Sequence, residues 1–382
     1  MSSRTIYEDA FARLVGAPTA RAFAMGRHGL VVALRAMGIS PGDRVGVCGY
    51  TCLSVVEAVR VAGGQPFFLD VDERLCIAPA SLANLAAGQL KALIVQHTFG
   101  LPGQLAAILE QAKRMGLPVI EDCCHALGSV YRGRSVGSLG LAAVYSSQWG
   151  KSYSTGQGGM LTVRDRALLE AVDDQIRQIA QPTSLKSDLS LAMQRGALRL
   201  AGGRGSRRML RSVYHRLATL GVVHGSFAKE LDFRWREGYV RLAGTLTSRA
   251  GLACLPRWPA QMEIRKRNAA LIRDALASAG LAMWDPTDPA DPVLLRYPVR
   301  VNNKPSVLAR AAAEGLDLAG WYDSPVHPLE GEELEQAGYQ PGQCPHVEAA
   351  IGQVVHLPTG SEFSPKQLAR AICILRGSGL GG

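Results

Sequence analysis

The chain has 382 residues, 47% of them hydrophobic and 19% charged, with 42 glycines and a formal net charge of +10. That balance excludes a disordered or coiled-coil chain and suits a compact α/β enzyme of about two or three domains. No apolar run is long enough to span a bilayer, the first residues lack a hydrophobic signal core, and the eight cysteines follow no zinc or thioredoxin spacing. A cytoplasmic location, reduced thiols and no metal are the expectation.

Gly29–Gly38 reads as a helix, with apolar residues three and four apart and a stop at Gly38. Pro41-Gly42-Asp43 is a turn into a short strand, Arg44–Cys48. Ser54–Val61 is helical and ends at Gly63-Gly64. Gln65–Leu69 and Ala92–Gln96 are apolar strands, and Leu105–Met115 is a helix between Ala92–Gln96 and the next strand. Leu117–Ile120 is that strand, running directly into Glu121-Asp122. Ala142–Tyr145 and Met160–Val163 are two more. Residues 166 to about 245 read as helical. Arg265–Gly280 (helix), Leu294–Val301 (strand) and Pro305–Gly315 (helix) form a second, smaller α/β unit. Alternating strands and helices predict a mostly parallel sheet covered on both faces, with ligands collecting at the carboxyl ends of its strands. Asp122 and the loop from Ser146 to Lys151 both fall at such ends.

The charge is local. From Leu189 to Ala228 there is no acidic residue but seven arginines: Arg195, Arg199, Arg204, Arg207, Arg208, Arg211 and Arg216. Such a stretch is either a solvated helical insert or a surface that meets an anionic partner, with peripheral contact at a membrane favoured over nucleic acid. Few aromatics interleave with these arginines and no nucleic-acid-binding motif is present.

Asp122, His125, Ser146 and Lys151 follow one another between Val119 and a glycine-rich loop ending Gly156-Gln157-Gly158-Gly159. A lysine amine can hold an aldehyde cofactor, a buried carboxylate can keep a ring nitrogen protonated, and serine hydroxyls with glycine-rich backbone can bind a phosphate. The stretch VIEDCCHALGSVYRGRSVGSLGLAAVYSSQWGKSYSTGQGGML (119–161) resembles the core of the DegT/DnrJ/StrS family of sugar aminotransferases, with its V-I-E-D-A-A-(Q/H)-A-x-G, Y-x-G-x-x-x-G-x-x-G and K-x-x-x-x-G-E-G-G segments. ISPGDRV (39–45), GGQPFFLDVD (63–72), VQHTFG (95–100), WYDSPVHP (321–328) and CPHVEAA…HLPTG (344–360) are similar to its flanking segments. The likeness covers roughly residues 25–165 and 260–365, an order and spacing beyond chance.

The resemblance implies a pyridoxal 5′-phosphate (PLP)-dependent transferase of fold type I, like aspartate aminotransferase. Its mixed, mostly parallel sheet would lie in a large domain (1–245, with a basic helical insert at about 180–230), followed by a small domain (246–382). Lys151 would attach the cofactor and shuttle the proton, Asp122 would pair with the ring nitrogen, His125 would touch the ring hydroxyl and Ser146 would bind phosphate. Arg27 and His28 occupy the early phosphate turn, where the family has G-T-x-A. Tyr50 would stack on the ring in place of the aromatic that Cys52 replaces, and Gln157 removes the charge of the family's G-E-G-G. Asp232, followed by Phe233-Arg234, replaces an asparagine that reaches a neighbouring subunit's phosphate, so Arg234 would compensate or the contact would be lost. His97, His327 and Arg234 are candidate substrate residues. The expected reaction moves an amino group from an amino acid, glutamate by analogy, to a keto-sugar or related keto acceptor in polysaccharide or natural-product biosynthesis, in a homodimer with shared sites. Sugar dehydration, another PLP reaction on an amino acid, or a non-catalytic PLP-binding regulator are the alternatives; dehydrating relatives carry histidine where Lys151 stands.

Overall fold

The computed structural model describes residues 1–200, 231–281, 290–361 and 364–377. Of the expected basic insert only the part up to residue 200 is described. Arg204, Arg207, Arg208, Arg211 and Arg216 lie outside the described residues, as does the side chain of Arg199.

The chain opens with a helix the sequence reading left out, Ser3–Val15. Ser2 caps it by accepting from the Thr5 amide, and Gly16 ends it in the left-handed region. The strands of the first half are β1 (Thr19–Phe23), β2 (Arg44–Cys48), β3 (Thr51–Cys52), β4 (Gln65–Leu69), β5 (Ala92–Gln96), β6 (Val119–Asp122), β7 (Val130–Tyr131), β8 (Arg134–Ser135), β9 (Ala142–Ser146) and β10 (Gly159–Val163). They are followed by β11 (Gln181–Pro182), β12 (Arg241–Leu242), β13 (Ala290–Asp291), β14 (Arg296–Arg300), β15 (Val326–His327) and β16 (Val354–Pro358).

One sheet of nine strands runs β11-β12-β1-β10-β9-β6-β5-β2-β4. The block β9-β6-β5-β2-β4 is parallel throughout, and β10 is antiparallel to both its neighbours, β1 and β9. Every residue of β5 is buried, as expected of a strand covered by helices on both faces. Mixed and mostly parallel, the sheet is that of an α/β fold, and its carboxyl edge carries the site.

A second core gathers Ile272, Leu276, Tyr297, Val299, Val307, Leu357 and Ile374. It lies between the antiparallel pair β14–β16 and the helices Trp258–Ser278, Lys304–Ala313 and Pro365–Arg376. The stretch between β14 and β16 does not stay there. Tyr322, Val326, Tyr339 and Val347 join the main core, and β15 pairs in parallel with β3, setting His327 opposite Cys52. The C-terminal part thus sends one arm back to the carboxyl edge of the main sheet.

Candidate active site

A cleft of about 700 Å³, its open mouth included, lies at that edge. Its floor comes from strand ends: Gln96 and His97 after β5, Asp122 at the end of β6 with Cys124 and His125 behind it, and Ser146 at the end of β9. Its sides are the first turns of two helices, Gly26–Ala36 and Leu53–Ala62. Lys151, Gln148, Gln157 and Gly158 come from the loop between β9 and β10, and Tyr322 from the returning arm.

The lysine loop is closed on itself. Ser147 N–H donates to Gly158 O at 2.9 Å, Trp149 N–H to Gly156 O at 2.9 Å, and Thr155 N–H to Ser147 O at 2.8 Å. Lys151 sits at the tip, half-buried and facing the cleft. The glycines that follow have steric reasons. Gly156 adopts φ +91°, a left-handed conformation. A Cβ at Gly158 would stand 2.4 Å from Ser147 Oγ, and one at Gly159 would stand 2.3 Å from Gly26 Cα. Only glycine lets the helix Gly26–Ala36 begin directly against β10.

Asp122 is buried, and its Oδ1 accepts from the Cys124 amide at 3.0 Å. His125 is buried and stacked on Phe99 at 6.1 Å between ring centroids. Burial, and then the nearby Lys151 charge, push its imidazolium pKa well below the usual histidine range, so the ring is neutral. Its Nδ1 accepts from the Phe99 amide at 3.2 Å, which leaves the proton on Nε2 as the ring's donor. Cys124, also in the wall, is a thiol: burial and the neighbouring Asp122 push its pKa up. His97 is fully buried, with Nε2 3.1 Å from Glu121 Oε2 and Nδ1 without a partner. Burial alone would raise the pKa of Glu121. The His97 contact and the amides of Gly137, Leu139 and Gly140 outweigh it and hold the carboxyl low.

Neither helix that opens on the cleft has a side-chain cap at its start. Their first-turn amides and the positive ends of their dipoles are therefore available to an anion, beside the Ser146 hydroxyl. Arg27 lines the cleft in the same place. Its Nη1 donates to Glu57 Oε2 at 2.5 Å, while Tyr239 OH donates to Glu57 Oε1 at 2.7 Å, so the guanidinium is fixed in direction.

The fold thus brings Lys151, Asp122, His125, Ser146, Arg27 and His97 together. Other expected residues stand elsewhere. His28 faces away from the cleft: its Nδ1 lies 3.3 Å from both backbone N and O of Arg241, and burial, then Arg27, push its pKa down to about 3. Tyr50 is fully buried behind the wall, its hydroxyl accepting from the Tyr322 amide at 3.1 Å. Tyr322, not Tyr50, presents an aromatic ring to the cleft. Its phenol pKa is raised by burial first and then by neighbours that include Cys52 and Asp122. His327 lies outside the cleft lining with its ring 5.2 Å from that of Tyr322. Asp232 and Arg234 are also outside it: Asp232 pairs with Arg234 at 3.1 Å and with Arg236. Within the chain, Arg234 does balance the Asp232 charge.

Sequence reasoning gave no role to Met25, Ser54, Val55, Gln96, Cys124, Gln148 and Tyr322. The signal for Ser54 and Val55 was present, because their helix starts within a few residues of the legible strand Arg44–Cys48, whereas the strand before Met25 was not legible. Gln96 crosslinks the edge, its Nε2 donating to Tyr50 O and Thr98 Oγ1 and its Oε1 accepting from Thr51. Tyr322 reaches the site only through the return of the arm, which no local pattern marks.

These residues fit the cofactor that the sequence resemblance implies. There is a lysine amine at one side, a buried carboxylate on the floor, a neutral imidazole with one N–H to give, and an anion-binding corner of two helix starts, a hydroxyl and a guanidinium. The profile of the DegT/DnrJ/EryC1/StrS aminotransferase family matches residues 3–192 and 223–376. L-glutamine:2-deoxy-scyllo-inosose aminotransferase of Streptomyces fradiae is 35% identical over 168 residues, 44% of this chain and 40% of that protein. UDP-N-acetyl-3-dehydro-alpha-D-glucosamine 3-aminotransferase of Acidithiobacillus ferrooxidans is 27% identical over 358 residues, 92% of this chain and 82% of that protein. The crystal structure of DesV from S. venezuelae in complex with a ketimine intermediate superimposes with a TM-score of 0.74 at 25% identity. The superposition covers 99% of this chain and 89% of that one.

Proposed function

The chain belongs to the DegT/DnrJ/EryC1/StrS aminotransferase family, and on that premise we propose that it moves an amino group from glutamate or glutamine to the keto group of a sugar or cyclitol, in the biosynthesis of a polysaccharide or natural product. Glutamine and the acceptor classes are those in the names of its relatives, one named for L-glutamine and 2-deoxy-scyllo-inosose and the other for a UDP-linked 3-dehydro sugar; glutamate is the donor expected from the family resemblance. The observation that carries the reading is the meeting of Lys151, Asp122, His125 and Ser146 in one cleft with two uncapped helix starts.

Bound PLP supplies an electron-withdrawing ring that makes a proton on the adjacent substrate carbon removable. The protein's part is positional and acid–base. Lys151 would hold the cofactor through Nζ, and the same amine, when free, would take and return that proton. Asp122 would keep a proton on the ring nitrogen, and His125 would offer Nε2–H to the ring hydroxyl. Ser146, Arg27 and the amides of the two first turns would anchor the phosphate. His97 is a substrate-side residue, and Tyr322 bounds the cleft on the side of the returning arm.

A homodimer with shared sites completes the open mouth, with the segment of Asp232, Arg234 and Arg236 as the partner-facing arm. The enzyme works in the cytoplasm, and the arginine-only stretch gives it a peripheral contact with an anionic surface. Retention of Lys151 favours amino transfer over dehydration.

Purified protein is expected to carry a yellow cofactor band that Lys151→Ala removes. Adding glutamate or glutamine shifts the band to that of the aminated cofactor, and adding a keto-sugar restores it. A colourless protein that binds no added PLP, or a band indifferent to every amino donor, overturns the reading.

A further inference from the structure

The helix Leu185–Leu200 has two faces of opposite character. Its inner face grips the lysine loop. Leu191 packs on Gly156, its Cδ1 lying 3.0 Å from where a Cβ on that glycine would stand, and Arg195 Nη1 donates to Thr155 O at 2.9 Å. Asp188 is buried and spent on the start of the helix Thr245–Cys254, accepting from the amides of Leu246 and Thr247 and from the Thr247 hydroxyl.

The outer face is apolar and uncovered. Leu185, Leu189 and Met193 stand four residues apart and are 77%, 50% and 64% exposed. Four-residue spacing puts them on one side of the helix. Among the described residues seven large hydrophobic side chains are exposed, and these three are the only set aligned along one helix, so they form a stripe rather than scattered exceptions. Lys186 is exposed beside the stripe and Asp188 is buried; in sequence no acidic residue occurs from Leu189 to Ala228 while seven arginines do, of which Arg195 is turned to the lysine loop and the side chains of the others lie outside the described residues. No described helix is long and apolar enough to cross a membrane. An apolar stripe that leads into a cationic stretch of sequence matches a surface with an apolar interior and anionic headgroups.

We propose that Leu185, Leu189 and Met193 insert into the interfacial layer of an anionic lipid bilayer. The helix, through Leu191 and Arg195, then holds the Lys151 loop next to that bilayer. This deepens the peripheral-contact reading above and rests on it. The chemistry it selects for is a keto-sugar acceptor carried on a lipid, presented at the bilayer face.

The test is co-sedimentation of the PLP-loaded protein with vesicles of phosphatidylglycerol or of phosphatidylcholine, for three proteins: wild type, the triple variant Leu185→Gln, Leu189→Gln, Met193→Gln, and the triple variant Arg204→Gln, Arg207→Gln, Arg208→Gln. Wild type is expected to sediment with the anionic vesicles only, and the stripe variant to lose at least tenfold in affinity while keeping its cofactor band. If the arginine variant loses binding and the stripe variant does not, the basic contact stands and the insertion proposal falls. If wild type binds no vesicle, both fall. Light scattering on the stripe variant gives a further arm: a change in the number of subunits per particle makes the stripe a contact between copies of this chain and overturns the lipid assignment.

Discussion

Three histidines are held neutral by the interior, and each has a consequence at the scale of one proton. Burial comes first in every case, followed by Arg27 for His28, Lys151 for His125 and Arg296 for His356. His28 is pushed to about 3, and the other two well below the ordinary value. In the unfolded chain each titrates near pH ~6.5. Below that pH the unfolded state takes up protons that the native state refuses, so the stability these groups contribute is whole above pH ~6.5 and is lost as the pH falls. Each contributes up to about 1.4 kcal/mol per pH unit in that window. The melting temperature, measured from pH 8 down to pH 5, is expected to fall below about pH 6.5, and His28→Gln is expected to make the fall shallower. A melting temperature that is flat or rises toward pH 5 refutes this. The same neutrality serves the site: a cationic His125 beside Lys151 would oppose the amine's own charge.

At the scale of elements, the site depends on how closely the helix Gly26–Ala36 approaches β10. The three atoms nearest the missing Cβ of Gly159 all belong to the backbone of Met25 or Gly26, so no flexible side chain can yield there. Gly159→Ala is expected to cost about 1–3 kcal/mol and to weaken PLP binding at least tenfold in a spectroscopic titration, because it displaces the turn that faces the phosphate. Gly116→Ala is the control. It has φ +65° but nothing within 4 Å of its Cβ, and it is expected to lower the melting temperature slightly while leaving PLP affinity unchanged. Equal PLP affinity in both variants defeats the argument. The elements that sequence patterns revealed best were those with apolar runs bounded by turns: Arg44–Cys48, Gln65–Leu69 and Ala92–Gln96 coincide with their strands to the residue. β1 was hidden because TARAF is short and carries only one large apolar residue, Phe23, and β16 because its role is set by a distant partner, β14. At the site, the order Asp122, His125, Ser146, Lys151 was legible because each lies at or just beyond the end of a recognisable strand. His28 and Tyr50 were misplaced for a shared reason. Both are close to cleft residues in sequence, but His28 is turned to the Arg241 backbone and Tyr50 is buried behind the wall against Tyr322, contacts made with segments far along the chain.

At the scale of the molecule, the proposed homodimer has a direct test. Light scattering of the PLP-loaded protein is expected to give twice the chain mass, and a monomer that transfers amino groups at full rate would contradict shared sites. Within one chain, the walls are contributed unevenly. Gly26 through Gly158 supply nearly all of the cleft, and Tyr322 supplies the last side only when the returning arm pairs β15 with β3. A ribosome therefore finishes almost every cofactor contact long before it reaches the residue that closes them in. A chain cut after β10 would keep Lys151 and Asp122 but lack Tyr322 and the arm that carries it. Cofactor colour, expected of the whole chain, would therefore report whether that arm is in place, and truncations or insertions in the C-terminal third could be sorted by it.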